Sequence, residues 1–367
     1  MIKILFVEEF KTTGGEEEVV FNLFQSFYKR DDFEVYVAAP PKAAYYKKNS
    51  FPSDRFFSIP MASKFDIRSV REIRRFILDQ GIDIVHSHGD RAGLIARIAC
   101  ASTPAKSVWT MHANSDDNRI TQSNIKRCLK VLVQRVLNKY FTDLVVCVSK
   151  SLRNNISSYM CHNKITVVYN GIDVERFSPK KKKANSDSVL RVLFAGRLSE
   201  QKGIPYLIEG ALLAKKKGVD FNISLAGEGD LERAIVEKIN EKELGDCVSL
   251  LGFRKDISQL LCDHDVLLLP SLFEGFPVII LESLASGTPV IASKVNGIPE
   301  IINDKINGLL LEPGSSQDVA NALEYVSNHR DWLHTASIAA LDSVQPFCIE
   351  TMVENHAKVY QKLASEN

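Results

Sequence analysis

Several features are missing from this 367-residue chain, and each absence removes a class of protein. No apolar run approaches the ~18–20 residues that cross a bilayer. The opening run Ile2–Val7 is too short for a secretory signal and stops at Glu8-Glu9. Seven cysteines, an odd number, include no C-x-x-C pair, which argues against a zinc ribbon. Cys100, Cys128 and Cys147 lie in apolar surroundings, as reduced thiols of a cytoplasmic protein do. An excess of one charge is also lacking. With 46 Lys and Arg against 45 Asp and Glu, the net charge of +1 gives no global reason to expect nucleic acid as a partner. No short-period repeat or long low-complexity stretch is visible. What remains is a chain 45% apolar and 25% charged, the composition of a soluble globular protein, and long enough for two cores of ~150–200 residues.

The order of patterns gives the architecture. Ile2–Val7 is continuously apolar, as a strand buried on both faces of a parallel sheet must be. Gly14-Gly15 then precedes Val19, Val20, Leu23, Phe24 and Phe27 at helical spacing. Further strand patterns follow at Phe33–Ala39, Asp83–His88, Ser107–His112, Leu144–Ser149 and Ile165–Tyr169, with helical patterns between most of them. After Asn170-Gly171-Ile172-Asp173 a polar stretch containing Lys180–Lys183 reads as a linker. Alternation then restarts, with strands expected at Val189–Ala195, Phe221–Ala226, Val248–Leu251, Val266–Leu269, Val290–Ala292 and Leu309–Leu311. Two parallel-sheet α/β domains facing a cleft are expected, one over 1–176 and one over 177–345, with a helical segment 346–367 returning to the first.

In open parallel sheets ligands bind at the carboxyl ends of the strands, so motifs there carry functional weight. Phe194-Ala195-Gly196-Arg197 leaves the second domain's first strand, and Lys202-Gly203 precedes a helix that begins near Pro205. Two cations five residues apart beside exposed N–H groups suit a polyanion. Arg197 offers a planar fork and Lys202 a mobile point charge. A second motif, Phe273-Glu274-Gly275-Phe276-Pro277, follows strand Val266–Leu269 and feeds a helix that ends at Gly287. Glu274 lies before that helix and Glu282 within it, eight positions later or about 12 Å along a helical axis. That is roughly the distance between the two ends of a nucleotide sugar, so the carboxylates could serve sugar and ribose hydroxyls separately. The plain alternatives are solvated surface charges and a carboxylate favoured by the helix dipole.

Gly196-Arg197 with Lys202-Gly203, then Glu274 and Glu282, resembles the paired signature of the retaining GT-B glycosyltransferases of glycosyltransferase family 4. Ala226-Gly227-Glu228-Gly229, Leu251-Gly252-Phe253 and Asn170-Gly171-Ile172-Asp173 match that family's recurring segments in order. The resemblance implies two Rossmann-like domains and a nucleotide-sugar donor with no cofactor or metal. On this basis Arg197 and Lys202 would neutralise the donor diphosphate. Glu274 would hold donor-sugar hydroxyls with the N–H groups of Gly275, Phe276 and Val278, while Pro277 has none to give. Glu282 would take the ribose, residues around Arg254 would border the base, and Gly15 would approach the phosphate from the first domain. His112 matches the family's histidine near the reacting sugar, where the residue alone reads as a packed strand-end histidine. The implied reaction is retaining transfer by a front-face route from a UDP-sugar to a glycan or lipid-linked acceptor. A sugar-nucleotide epimerase and a catalytically silent binding protein are the alternative classes.

Other signals read as structural. Asp263-His264-Asp265 spells a D-x-D metal pattern but precedes strand Val266–Leu269, at the edge away from ligand. His86-Ser87-His88 has no evident third ligand for a metal. Gly227-Glu228-Gly229 lacks the third glycine of a dinucleotide fingerprint and reads as a plain turn. The helix 126–139 sets Arg127, Lys130, Arg135 and Lys139 among Ile125, Leu129, Leu132, Val133, Val136 and Leu137. Such a helix either packs its apolar side on a sheet or rests on an anionic membrane. A lipid-linked acceptor would make peripheral contact with the inner face of the cell membrane natural.

Overall fold

The computed structural model describes the chain except residues 11–13, 42–50, 64–65, 114–123, 158–159, 161, 179–188 and 367, and only the backbone of 124–131. It divides into two compact units, Met1–Gly171 with Ile349–Asn367, and Ile172–Cys348. The crossing at Gly171–Ile172 precedes the Lys180–Lys183 segment, which lies outside the described residues.

The first unit carries strands β1 (Ile2–Val7), β2 (Phe33–Ala39), β3 (Phe56–Ser58), β4 (Ile84–His88), β5 (Lys106–Met111), β6 (Leu144–Cys147) and β7 (Ile165–Val167). They form one parallel sheet in the order β3-β2-β1-β4-β5-β6-β7. Strand β4, wholly buried, is near the middle, as the double-sided burial of a parallel sheet requires. The helix Ile67–Gln80 shows how local sequence sets an element. Asp66 caps it by accepting from Ser69 N–H at 3.1 Å, Ile73 and Ile77 face the core, and Gly81 at φ +62° ends it. Strand β3 was not foreseen. Its three residues are too few to show a period, and pairing with β2 alone makes them a strand.

The second unit holds β8 (Leu190–Ala195), β9 (Phe221–Ala226), β10 (Val248–Gly252), β11 (Val266–Leu269), β12 (Val290–Ser293) and β13 (Gly308–Leu311), again all parallel, in the order β10-β9-β8-β11-β12-β13. Pro205 falls in the first turn of the helix Ile204–Lys216, where a missing N–H costs nothing. The helix Arg330–Ser343 was also not foreseen, because it buries only Trp332, Ala336 and Ala340, and a mostly alanine stripe carries little periodic signal.

The C-terminal helix Ile349–Ser365 belongs to the first unit. Its Tyr360, fully buried, sits with ring centroids 5.3 Å from Phe27 and 6.3 Å from Phe33. Cys100 and Cys147 are buried free thiols, and burial pushes each up to about 12, which leaves them unreactive. Cys128 lies where side chains are not described.

Candidate functional site

In the second sheet the strand order reverses between β8 and β11. Gly196–Lys202 leaves one of these strands and Pro270–Pro277 the other, so both motifs meet at the edge where such sheets take ligands. Backbone contacts fix the two loops together. Gly203, at φ +68°, begins the helix Ile204–Lys216, and a Cβ there would stand 1.9 Å from the Pro270 carbonyl oxygen. Only glycine fits. Leu272 N–H donates to Gln201 O at 2.8 Å, and Gln201 Nε2 donates to Phe273 O at 3.2 Å.

The resulting contact joins Lys202 to Glu274. Lys202 Nζ donates to Glu274 Oε1 at 2.5 Å, and Ser271 Oγ donates to the same oxygen at 2.8 Å. Asn296 Nδ2 holds the Glu274 carbonyl oxygen at 2.6 Å. The two charged side chains are only 17% and 8% exposed, so water screens the pair weakly. Arg197 is exposed and makes no ion pair among the described residues. Gly275, Phe276, Pro277 and Val278 are buried, and Pro277 is the N-cap of the helix Val278–Ala285. The Phe276 ring packs 5.3 Å from Phe347, so its side chain serves the core and its main chain is what a ligand could meet.

Two positions differ in detail from the sequence reading. Helix geometry starts only at Val278, so the 12 Å figure, which assumes eight helical steps, does not describe Glu274 and Glu282; Glu282 is the half-buried fifth residue of that helix. Arg254, beyond β10, forks onto Asp256 at 2.8 and 2.5 Å.

Sequence reasoning missed Ser271 and Asn296, whose roles depend on contacts remote in the chain. It also undervalued Gly227-Glu228-Gly229. A Cβ on Gly227 would lie 1.9 Å from Gly196 O and one on Gly229 2.3 Å from Leu198 O, while Leu198 N–H donates to Glu228 O at 2.9 Å. The triplet is the bed on which the Arg197 loop lies.

In the first unit the order reverses between β1 and β4. Gly15 opens the helix Gly15–Tyr28, followed at once by Glu16, Glu17 and Glu18. Glu8, at the end of β1, accepts from the N–H groups of Glu9 and Phe10 at 2.7 and 3.3 Å, and its Oε2 is buried. Burial first, then Glu16 and Glu17, raise its pKa well above the usual carboxylate range. His112 follows β5 and is half-buried. Its Nε2 lies 2.8 Å from His88 Nδ1, so one ring donates to the other. His86 is engaged at both nitrogens, by Tyr360 Oη and Thr110 Oγ1, each at 2.6 Å. His86, His88, His112 and His356 are all held neutral, chiefly by burial.

Asp265 of the D-x-D pattern is taken by Arg191, with Nη2 to Oδ1 at 2.9 Å. Among the described residues, no three His, Cys, Asp or Glu side chains gather as metal ligands. No helix among them is long and apolar enough to cross a membrane.

Two parallel-sheet units, each with its motifs on the carboxyl edge, define the GT-B class of glycosyltransferase folds. The structure of Anabaena Alr3699/HepE in complex with UDP and glucose superposes with a TM-score of 0.83, covering 99% of this chain and 100% of that one at 22% identity. Residues 13–176 match the model of Glycosyltransferase Family 4, and residues 190–329 match that of Glycosyl transferases group 1. EpsF of Bacillus subtilis (strain 168), which carries a glycosyltransferase name, is 31% identical over 79% of this chain and 79% of its own. An Escherichia coli UDP-Gal:alpha-D-GlcNAc-diphosphoundecaprenol alpha-1,3-galactosyltransferase is 28% identical over 72% of this chain and 71% of its own. The chain belongs to glycosyltransferase family 4.

Proposed function

We propose that this protein moves a sugar from a UDP-activated donor to a glycan or lipid-linked acceptor, with retention of configuration and without a metal ion, in the building of a surface polysaccharide. The observation that carries the reading is the Lys202–Glu274 contact, braced by Ser271 and Asn296 at the strand-order reversal and next to exposed Arg197. The name of the Escherichia coli relative supports the UDP donor and the lipid-linked acceptor class.

In this mechanism Arg197 and Lys202 bind the diphosphate, and Glu274 with the N–H groups of Gly275, Phe276 and Val278 orients the sugar. Glu282 takes the ribose. The bond from the anomeric carbon to the diphosphate oxygen breaks, and its electron pair leaves with UDP. The acceptor oxygen bonds to that carbon from the same face, and its proton passes to the departing phosphate oxygen. Charge on the diphosphate grows as the bond lengthens, so fixed cations stabilise the transition state more than the ground state. Gly15 and His112 of the first unit are assigned to the same reaction by resemblance, and the neutral His112 ring would interact with the sugar as a hydrogen-bonding group.

A panel of UDP-, GDP- and ADP-sugars in a thermal-shift assay tests the donor, since a true ligand raises the melting temperature by linkage. UDP-sugars are expected to give the largest shift. Release of UDP with acceptor is expected to be unchanged by EDTA. A shift with GDP-sugars alone overturns the base, and activity lost in EDTA and restored by magnesium overturns the metal-free mechanism.

A further inference from the structure

The turn after β12 reaches across to the loop after β11, its neighbour in the sheet. Val295 N–H donates to Ser293 O at 2.8 Å and Ile298 N–H donates to Val295 O at 3.0 Å, and between these bonds Asn296 stands at φ +40°. Left-handed backbone of this kind suits glycine best, and asparagine better than most other residues. From that position Asn296 Nδ2 donates to the Glu274 carbonyl oxygen at 2.6 Å. A carbonyl can only accept, so the nitrogen end of the side-chain amide must face it. Glu274 is thus held twice, at its carbonyl by Asn296 and at its carboxylate by Lys202 and Ser271, which share Oε1.

What the Asn296 bond fixes is a peptide plane. Among the described residues no peptide bond is cis, so the Glu274 carbonyl and the Gly275 N–H lie in one plane and point in opposite directions. Pinning the one aims the other, and a carbonyl that accepts a hydrogen bond polarises its peptide and makes the N–H a better donor. Gly275 lies in the buried run 274–278, yet its N–H has no hydrogen-bond partner among the described residues. Buried backbone donors are seldom left so, because the bond lost to water goes unreplaced. On the adjoining residue, Glu274 Oε2 has no hydrogen-bond partner among the described residues either. A free acceptor beside a free donor suits a hydroxyl, which gives one hydrogen bond and takes another, better than a phosphate oxygen, which only takes. Glycine adds no Cβ to keep such a group away.

We propose that Asn296 is a positioning residue for recognition of the transferred sugar: by holding the Glu274 carbonyl it turns the Gly275 N–H onto a sugar hydroxyl that in turn donates to Glu274 Oε2. The assignment rests on the transfer reading and adds to it the residue by which the site tells a sugar-bearing nucleotide from bare UDP.

Calorimetric titration of UDP, UDP-glucose, UDP-galactose and UDP-N-acetylglucosamine into the full chain and its Asn296→Gly and Asn296→Ala variants tests it. The quantity read is the affinity for the tightest of the three UDP-sugars divided by that for UDP. Asn296→Gly keeps the left-handed turn without steric cost, so its melting temperature and UDP affinity are expected to stay close to the parent's while the ratio falls about tenfold. Asn296→Ala strains the same turn and is expected to melt lower than Asn296→Gly, yet to lose the ratio equally, since it lacks the same amide. A ratio that follows the melting temperature makes Asn296 a packing residue and overturns the assignment, as does an unchanged ratio in Asn296→Gly. Equal losses for UDP and the UDP-sugars move the Gly275 N–H to the diphosphate and overturn it too. A parent that binds none of the three UDP-sugars removes the transfer reading itself, a failure distinct from a parent that binds one with a ratio the variants leave alone.

Discussion

Lys202 and Glu274 are 72 residues apart in sequence, and their charged ends touch at 2.5 Å. The sequence reading gave them separate duties, one on phosphate and one on sugar. Their contact makes the two loops after β8 and β11 one electrostatic unit, in which the carboxylate holds the ammonium in place. Whatever anion Lys202 meets must compete with Glu274 for it. The proposed donor contacts and local stability therefore share the same pair.

Removing one partner leaves the other buried without its counter-charge, which costs roughly 3 kcal/mol for such pairs. Lys202→Met and Glu274→Gln are each expected to lower stability, and the double variant to lose less than the sum by at least about 1 kcal/mol. Urea melts of the four proteins measure this, and strict additivity would contradict the coupling. UDP release by Lys202→Met is expected to fall by about 10²–10³-fold, the usual cost of removing a charge-stabilising group. Near-normal turnover would remove Lys202 from the mechanism.

The glycines give a sharper steric test. Gly203→Ala and Gly227→Ala each drive a Cβ to 1.9 Å from a carbonyl oxygen, so the loops must move apart. Both variants are expected to lose several degrees of melting temperature and most donor-induced shift. Gly245→Ala meets nothing within 4 Å and is expected to stay within about 0.5 kcal/mol of the parent. A Gly203→Ala protein that melts and binds like the parent would show that the loop contact is not needed.

The ease with which these loops were found in the sequence has a physical basis. Buried parallel strands advertise themselves as apolar runs, and β1, β2, β9 and β11 run between the residues their patterns mark. The cations and carboxylates follow such strands directly, so the topology placed them at the ligand edge. Ser271, Asn296 and Arg97 could not be seen in that way. Their meaning comes from partners brought close by the fold, and a serine, an asparagine or an arginine has no period of its own. The helix Asn124–Tyr140 is a related case: its pattern was legible as amphipathic, but which side faces inward is decided by buried Arg97, which donates to Gln134 and Asn138.

Buried neutral histidines fix the acid response of the fold. His86, His88, His112 and His356 have pKa values pushed below the unfolded 6.5, so below that pH the unfolded chain takes up protons that the native one refuses. Stability is then lost as pH falls from 6.5 toward 5. Glu8, with its pKa raised, runs the other way. The lowered histidines outnumber the one raised carboxyl, so the net effect is a loss of stability as pH falls through this window. Urea midpoints at pH 7, 6 and 5 measure the slope, and a flat profile would show that these rings ionise in the native state.

His112, held down by burial and then by His356, stays neutral through the ordinary working range. The pH dependence of kcat/KM between 6 and 8 is therefore expected to show no inflection that disappears in His112→Ala. His88→Ala, which removes the ring bonded to His112 Nε2, is expected to lower kcat at least tenfold with little change in KM for the donor. An unchanged kcat would make the His88–His112 hydrogen bond a packing feature alone.

The helix that carries Tyr360 also bears on how the chain is born. The second unit is one continuous stretch, Ile172–Cys348, whereas the first needs Ile349–Ser365 to close over Phe27, Phe33 and His86. During synthesis the amino-terminal sheet must wait, partly uncovered, until residues 349–365 have been made, and the unit made in between is free to complete itself first. Ribosome-stalled chains ending near residue 345 would then expose an aromatic seam that chaperones can hold, and addition of residues 349–365 would seal it.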